Sequence, residues 1–222
     1  MNIGMILSGG SGARFGNALP KQYHELMGKK VISYSVDALT ASQNIDVVIV
    51  VADPEFISEI KEKYPVACIP GGSTRNQSLR HGLEYIRSTF LDCEKVFITE
   101  AARPFLTTEI VDTYLHSLDE YDAVVTTQKI TDSLGRIGEA VTMREEYYLI
   151  QAPEAFRFSM LYEYFKADST ISATVQQLPA ERNVLNYYDF RHNLKITYPE
   201  DLVMAEHLMQ IYGKEDGACG QR

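Results

Sequence analysis

Residues 2–23 read NIGMILSGGSGARFGNALPKQY and join a strand-like segment to a glycine-rich loop. Residues 2–8 are almost continuously apolar, which is typical of a strand buried on both faces of a sheet. The loop that follows combines four glycines with two cations, Arg14 and Lys21. Backbone amides and cations placed after a strand can surround a phosphate group. The stretch therefore indicates an α/β fold with an anion-binding loop.

The same alternation continues along the chain. Short β-branched runs at 46–52, 95–101 and 122–128 are separated by segments whose apolar residues recur at helical spacing. The helical segments are marked by Ile32, Val36 and Leu39, then by Leu79, Leu83 and Ile86, then by Ile110, Tyr114 and Leu118. This order predicts a Rossmann-like, doubly wound and mostly parallel sheet. Ligands of such sheets bind beyond the carboxyl ends of the strands, so the loops 8–22, 70–78 and 99–105 become candidates.

A single domain over residues 1–212 accounts for the pattern. Residues 128–157 are polar, punctuated by glycine and rich in tyrosine, and they predict an arm of short strands. After it, residues 193–212 predict a strand, a proline at a helix start and an amphipathic helix. Residues 213–222 are expected to form a flexible tail.

Composition excludes several classes of function. The chain has 222 residues, and its formal net charge of −9 disfavours nucleic acid and anionic membranes as partners. It contains no apolar run of about 18 residues and no leader-like start. Cys68, Cys93 and Cys219 lie far apart, which argues against a zinc site and fits a reducing compartment. We therefore expect a cytoplasmic protein.

Two kinds of nucleotide-binding protein could contain the glycine loop. Gly10, Gly12 and Gly16, with Asp53 after the second strand and a Tyr162/Lys166 pair, would fit an NAD(P)-dependent short-chain reductase. Against this, the loop continues through a proline where a dinucleotide fold would be deep in its first helix. A nucleotidyltransferase is favoured, because its triphosphate and its attacking phosphate require cations between them.

Five motifs, in this order, carry a resemblance to a known family. They are GGSGARFGNALPKQ (9–22), GGSTRNQSL (71–79), EAARPF (100–105), QAPEAF (151–156) and NLKITYPEDL (193–202). Together they resemble the 2-C-methyl-D-erythritol 4-phosphate and ribitol-5-phosphate cytidylyltransferases over residues 3 to about 210. The resemblance implies Mg²⁺-dependent transfer of CMP from CTP to a polyol phosphate, with release of pyrophosphate, by a homodimer that pairs through an extended β-arm.

The resemblance also implies roles for individual residues. Arg14, Lys21 and Lys195 are expected to bind the triphosphate and to stabilise charge at the α-phosphorus. The nucleotide is expected to contact Ser8, Gly9, Gly10, Gly12, Gly72, Ser73, Arg75, Ser78, Glu100 and Arg103. The acceptor polyol phosphate is expected to contact Asp132, Ser133 and Arg144 on the arm. No general base is required, because the acceptor phosphate is already ionised near pH 7.

Two positions depart from the family pattern. Glu100 stands where relatives have aspartate, so it is expected to bind the metal, directly or through water. Ala152-Pro153-Glu154 replaces Thr-Pro-Gln, which removes a hydroxyl that could contact the acceptor. The first motif favours an alditol phosphate such as ribitol 5-phosphate, used for glycan or teichoic acid synthesis. 2-C-methyl-D-erythritol 4-phosphate is the alternative acceptor, and a non-catalytic CTP-binding protein is a third possibility.

Overall fold

A computed structural model describes residues 1–10, 15–16 and 19–218, with residues 213–218 described by their backbone alone. The predicted strands at 2–8, 46–52, 95–101 and 122–128 and the helices predicted between them are present. The strands are β1 (Asn2–Ser8), β2 (Glu25–Leu26), β3 (Lys29–Lys30), β4 (Val47–Ala52), β5 (Ala67–Pro70), β6 (Lys95–Glu100), β7 (Ala123–Lys129), β8 (Tyr148–Arg157) and β9 (Val184–Tyr187). The helices are α1 (Val31–Ala41), α2 (Ile57–Lys63), α3 (Arg75–Thr89), α4 (Thr108–Ser117), α5 (Phe158–Tyr164) and α6 (Glu200–Ala218).

Within the described residues, one sheet has the strand order β5-β4-β1-β6-β8-β7-β9. Strands β1, β4, β5 and β6 pair in parallel, and β7 pairs with β9 in parallel. Only β8 runs antiparallel to its neighbours β6 and β7 among these strands. The prediction of a mostly parallel α/β sheet is thereby confirmed.

Helices cover both faces of the sheet because the central strands are apolar on both. Successive side chains of a strand point to opposite faces. Ile6 packs with α1 and α4, whereas Met5 and Leu7 pack with α3 and α5. Helix α3 approaches β1 closely at Gly82, where an added Cβ would lie 2.5 Å from the Met5 sulfur. The predicted continuous apolar strands therefore form the centre of a doubly covered sheet.

Residues 128–157 differ from the predicted arm of short strands. Residues 148–157 form β8, which lies in the central sheet between β6 and β7. Its inner half is buried, and Glu154 is 2% exposed. Polar residues inside residues 148–157 suggested exposed short strands, but in the structure Glu154 is a buried polar group within a central strand. Residues 130–147 lie outside the sheet and include a 3-10 helix at Arg144–Glu146.

The predicted strand in the segment 193–197 is also absent from the described structure. Both sides of β6 are already occupied, by β1 and by β8. The segment instead runs beside the loop after β6, where the Ile196 N–H donates to the Ala102 carbonyl at 2.9 Å. Pro199 directly precedes α6, as predicted, and this helix includes residues 213–218 of the expected tail. Residues 219–222 lie outside the described residues.

Candidate functional site

A cleft of about 610 Å³ opens at the carboxyl ends of β1 and β6 and beside the start of α3. The three loops that the sheet topology singled out all contribute to it. Residues predicted to bind the nucleotide or to act in catalysis line its walls: Ser8, Gly9, Gly10, Lys21, Gly72, Ser73, Arg75, Ser78, Glu100 and Lys195. Residues far apart in sequence thus meet in one cleft, while their individual roles stay predictions.

The wall formed by residues 71–78 is built around the first turn of α3. Thr74 caps this helix by accepting a hydrogen bond from the Gln77 N–H at 3.1 Å. The Ser78 hydroxyl accepts from the Gly72 N–H at 3.0 Å and donates to the Thr74 carbonyl at 2.9 Å. Ser73 donates to the Gln77 side chain through both its N–H and its hydroxyl. Ser78, expected to contact the nucleotide, therefore also fixes the shape of this wall.

Arg75 is held by several acceptors at once. Its Nη2 lies 3.2 Å from Glu154 Oε2, and its Nε lies 3.4 Å from Glu100 Oε1. Its Nη1 donates to the Ser172 carbonyl at 2.9 Å and to the Thr174 hydroxyl at 3.1 Å. Arg75 thus ties the loop at 172–174 to β6 and β8, in addition to lining the cleft.

The pair formed by Arg75 and Glu154 provides a test of this anchoring. In Arg75→Met, Glu154 loses its cation partner, and we expect the free energy of unfolding to fall by about 3–5 kcal/mol. Urea denaturation measures the change. The double variant Arg75→Met/Glu154→Gln should recover on the order of 1–2 kcal/mol, because the buried charge is removed as well. The single variant Glu154→Gln completes the comparison. A loss of stability in the double variant equal to the sum of the losses in the two single variants would contradict the coupling.

Glu100, the last residue of β6, lies at the floor of the cleft among three cations. Its Oε2 lies 2.6 Å from Lys195 Nζ and 3.6 Å from Arg103 Nε, and Arg75 contacts its Oε1. Burial by itself would raise the pKa of this carboxyl. Lys195, Arg103 and Arg75 together outweigh burial and lower the pKa of Glu100 to about 2. Glu100 is therefore ionised at neutral pH and holds the three cations together.

Arg103 lies behind the cleft rather than on its wall. Its side chain is 7% exposed, and its Nη1 donates to the Asn193 carbonyl at 2.8 Å. It lines a second, smaller cavity of about 330 Å³ on the far side of Lys195. Arg103 does not line the larger cleft, and its contact with the nucleotide stays a prediction. Its contacts instead connect Glu100 to the segment that carries Lys195.

Several predicted residues are not brought to the cleft. Asp132, Ser133 and Arg144 are exposed on residues 130–147, and none of them lines it. Arg144 instead contacts Glu145 at 3.0 Å and the Thr131 carbonyl. Within this single chain the three residues therefore form no acceptor site with Glu100 and Lys195. Gly12, predicted to contact the nucleotide, and Arg14, predicted to bind the triphosphate, lie outside the described residues.

The residues that suggested a reductase have other partners. Asp53 caps the short helix Pro54–Phe56 by accepting from the Glu55 N–H at 3.0 Å. The Tyr162 hydroxyl donates to Glu84 Oε2 at 2.8 Å on the outside of α3. Neither Asp53 nor Tyr162 lines the cleft. Among the described residues, the cleft therefore has neither the acidic residue nor the tyrosine that a dinucleotide site would require.

Metal ligands contributed by the protein are sparse. No three His, Cys, Asp or Glu side chains come together as a metal site in the described part of the chain. Glu100 is the single carboxylate among the described residues that line the cleft. Its Oε2 is buried, and its ion pairs leave it without a well-directed hydrogen bond. One carboxylate fits a Mg²⁺ ion whose remaining ligands are phosphate oxygens and water.

Sequence reasoning missed two residues that shape the cleft. Gln22 is 3% exposed and donates to carbonyls at the end of β1. Glu154 is 2% exposed and accepts from Arg75 and from the Val175 N–H. Both residues stand in the quoted motifs GGSGARFGNALPKQ and QAPEAF, but a motif does not say which partner a buried polar group will find.

Comparisons with known proteins give the same fold and family. The family model "IspD: 2-C-methyl-D-erythritol 4-phosphate cytidylyltransferase" matches residues 3–211. A protein of that name from Thermosipho melanesiensis is 29% identical over 218 residues, which cover 92% of this chain and 96% of the relative. Another protein of that name, from Thermotoga neapolitana, is 31% identical over 168 residues, which cover 72% of this chain and 75% of the relative.

Solved structures agree with the sheet described above. The 4-diphosphocytidyl-2C-methyl-D-erythritol synthase from Anaerococcus prevotii superimposes with a TM-score of 0.80 at 24% identity, over 94% of this chain and 96% of that one. At this identity the likeness shows the fold alone. Since the family model extends over nearly the whole chain, this protein belongs to the 2-C-methyl-D-erythritol 4-phosphate cytidylyltransferase family and is a nucleotidyltransferase.

Proposed function

We propose that this protein transfers CMP from CTP to 2-C-methyl-D-erythritol 4-phosphate. The observation that carries the proposal is the cluster of Lys21, Lys195 and Glu100 in a cleft at the ends of β1 and β6. The relatives from Thermosipho and Thermotoga bear the name of this activity, and they match along most of their length. A cleft lined by two lysines, Lys21 and Lys195, suits a triphosphate and an attacking phosphate monoester.

The prediction of an alditol phosphate acceptor for glycan or teichoic acid synthesis is wrong. The family model and the relatives from Thermosipho, Clostridium and Thermotoga all carry the methylerythritol name instead. The prediction failed because it depended on residues of the first motif. Ser8, Gly9 and Gly10 line the wall assigned to the nucleotide, so their identity carries little information about the acceptor.

In the proposed reaction an oxygen of the acceptor phosphate attacks the α-phosphorus of CTP. The bond from this phosphorus to the bridging oxygen breaks, and pyrophosphate leaves. Lys21 and Lys195 neutralise charge that builds on the α-phosphate and on the leaving group. Glu100 holds Lys195 at 2.6 Å, which keeps the ammonium group at the floor of the cleft. Bringing two anions together is the main obstacle, so the positioned cations account for most of the rate enhancement.

Mg²⁺ is part of the proposal. Glu100 would be the protein's carboxylate contribution, and the triphosphate would supply the other charged oxygens. When bound, the ion supplies further neutralisation of the phosphates. Glu100 already contacts three cations, so contact through water is the arrangement that its surroundings favour.

The proposal also includes a homodimeric assembly of this chain and a cytoplasmic location. Exposed apolar side chains on residues 130–149 support pairing of this segment with a second copy: Ile137, Val141, Met143 and Leu149. In such a homodimer Asp132, Ser133 and Arg144 would reach the acceptor in the neighbouring subunit's site. We place the enzyme in the cytoplasm. No helix in the described residues has the length and apolar character needed to cross a membrane.

Pyrophosphate release is the measurement that tests the proposal. With CTP and Mg²⁺, we expect release in the presence of 2-C-methyl-D-erythritol 4-phosphate, at a kcat/KM at least about a hundredfold above that for ribitol or glycerol phosphates. UTP and ATP serve as donor controls. CTP binding without turnover of the methylerythritol substrate, or equal rates with every acceptor, would refute the assignment.

A further inference from the structure

The Gln22 side chain lies under the first loop of the cleft. It belongs to the short 3-10 helix Lys21–Tyr23 and is 3% exposed. Its Nε2 donates to the Ser8 carbonyl at 2.7 Å and to the Gly10 carbonyl at 3.1 Å. A carboxamide has two N–H donors, so both are used by carbonyls on either side of Gly9. One side chain thus holds both ends of the segment that begins the glycine loop.

These two hydrogen bonds control which backbone atoms the loop presents. A carbonyl oxygen facing a triphosphate would repel it, whereas an N–H would attract it. In a trans peptide the N–H points opposite to the carbonyl, so turning the Ser8 carbonyl towards Gln22 turns the Gly9 N–H away from it. The start of the loop packs beside the wall formed by residues 71–78, since a Cβ added at Gly9 would lie in ordinary contact, 3.6 Å from the Ser78 hydroxyl and 3.7 Å from the Gly71 Cα.

The rest of the short helix strengthens this arrangement. The Tyr23 hydroxyl lies 3.1 Å from the Ser8 hydroxyl, and the Tyr23 ring stacks on Phe56 with centroids 3.9 Å apart. Burial raises the pKa of Tyr23 to about 12, so it stays protonated and can donate. Lys21, directly before Gln22, lines the cleft. Gln22 therefore connects the backbone next to Lys21 to the orientation of residues 8–10.

We propose that Gln22 is a positioning residue for polyphosphate binding, which holds the Ser8 and Gly10 carbonyls away from the ligand and keeps residues 8–10 in the conformation that binds it. It acts through the backbone and touches no reacting atom. The inference rests on the proposed function, which supplies the triphosphate. The site formed by residues 8–10 would bind a broader class of ligand, however, since any linear polyphosphate could contact the same backbone.

The first test compares Gln22→Met with wild type, because methionine keeps the volume and removes both donors. The probe is inorganic tripolyphosphate, measured by calorimetry, with cytidine, which carries no phosphate, as the control ligand. We expect tripolyphosphate affinity to fall about tenfold or more and cytidine affinity to change less than about twofold. Unchanged tripolyphosphate binding, or an equal loss for both ligands, would overturn the proposal. So would a wild-type protein that binds no tripolyphosphate.

The second test uses Gln22→Glu and remains informative if the methionine variant folds poorly. A buried carboxyl beside two carbonyls has a raised pKa, and once protonated it can donate one hydrogen bond. Relative to wild type, its tripolyphosphate affinity should recover as the pH falls from about 8 to about 5.5. A ratio that stays constant with pH would overturn the proposal. Failure of the methylerythritol assay alone would contradict the proposed function and leave this result standing.

Discussion

Replacing Lys195 by alanine should lower kcat by about 10²–10³-fold, with little change in secondary structure. Lys195 lines the cleft, and its Nζ lies 2.6 Å from Glu100 Oε2. Its ammonium group is one of the few cations that can follow charge from the α-phosphate to the leaving pyrophosphate. Steady-state pyrophosphate release at saturating CTP measures the loss, and circular dichroism checks the fold.

Lys29→Ala is the matched control for this experiment. Lys29 forms an exposed ion pair with Asp37 at 2.5 Å, and it does not line the cleft. Its loss should leave kcat within about twofold of wild type, since exposed pairs contribute little. A Lys195→Ala enzyme with nearly normal kcat would contradict the role assigned to this lysine.

The second large effect is on stability. Glu100→Gln leaves Arg75, Arg103 and Lys195 near one another without their shared carboxylate. We expect the free energy of unfolding at pH 7 to fall by about 3 kcal/mol, which corresponds to the lowered pKa of Glu100 and to the usual cost of breaking a buried pair. Urea denaturation measures the change. Tripolyphosphate should restore part of it by replacing the missing negative charge.

For the Glu100→Gln variant we also expect the loss of stability relative to wild type to depend on pH, with a definite sign. The pKa of Glu100 falls from 4.5 to about 2 on folding, so its stabilising effect is complete above about pH 4.5. The stability difference between wild type and Glu100→Gln should shrink as the pH decreases from 4.5 towards 2. Glu84→Gln, which removes an exposed partner of Arg80, should show almost no such change. A difference independent of pH would show that Glu100 is not the titrating group.

Most of the fold could be predicted because its signals are local. The apolar runs at 2–8, 46–52, 95–101 and 122–128 correspond closely to β1, β4, β6 and β7. Strand β8 was less clear, since Glu154 lies inside it and its partners come from α3 and the 172–175 loop. The segment 193–197 has the composition of a strand, yet the places beside β6 are filled by β1 and β8.

The sequence by itself determined the alternating α/β order, the loops at the strand ends and, through five motifs, the cytidylyltransferase family. Those features depend on apolar periodicity and on residue types at fixed spacing, which can be read along the chain. Only the tertiary structure decided that Arg103 contacts Glu100 and Asn193 behind the cleft, and that Arg75 bridges Glu100 to Glu154. It also placed Gln22 beneath the Ser8 and Gly10 carbonyls. Buried polar groups choose partners by distance after packing, and no spacing along the chain specifies that distance.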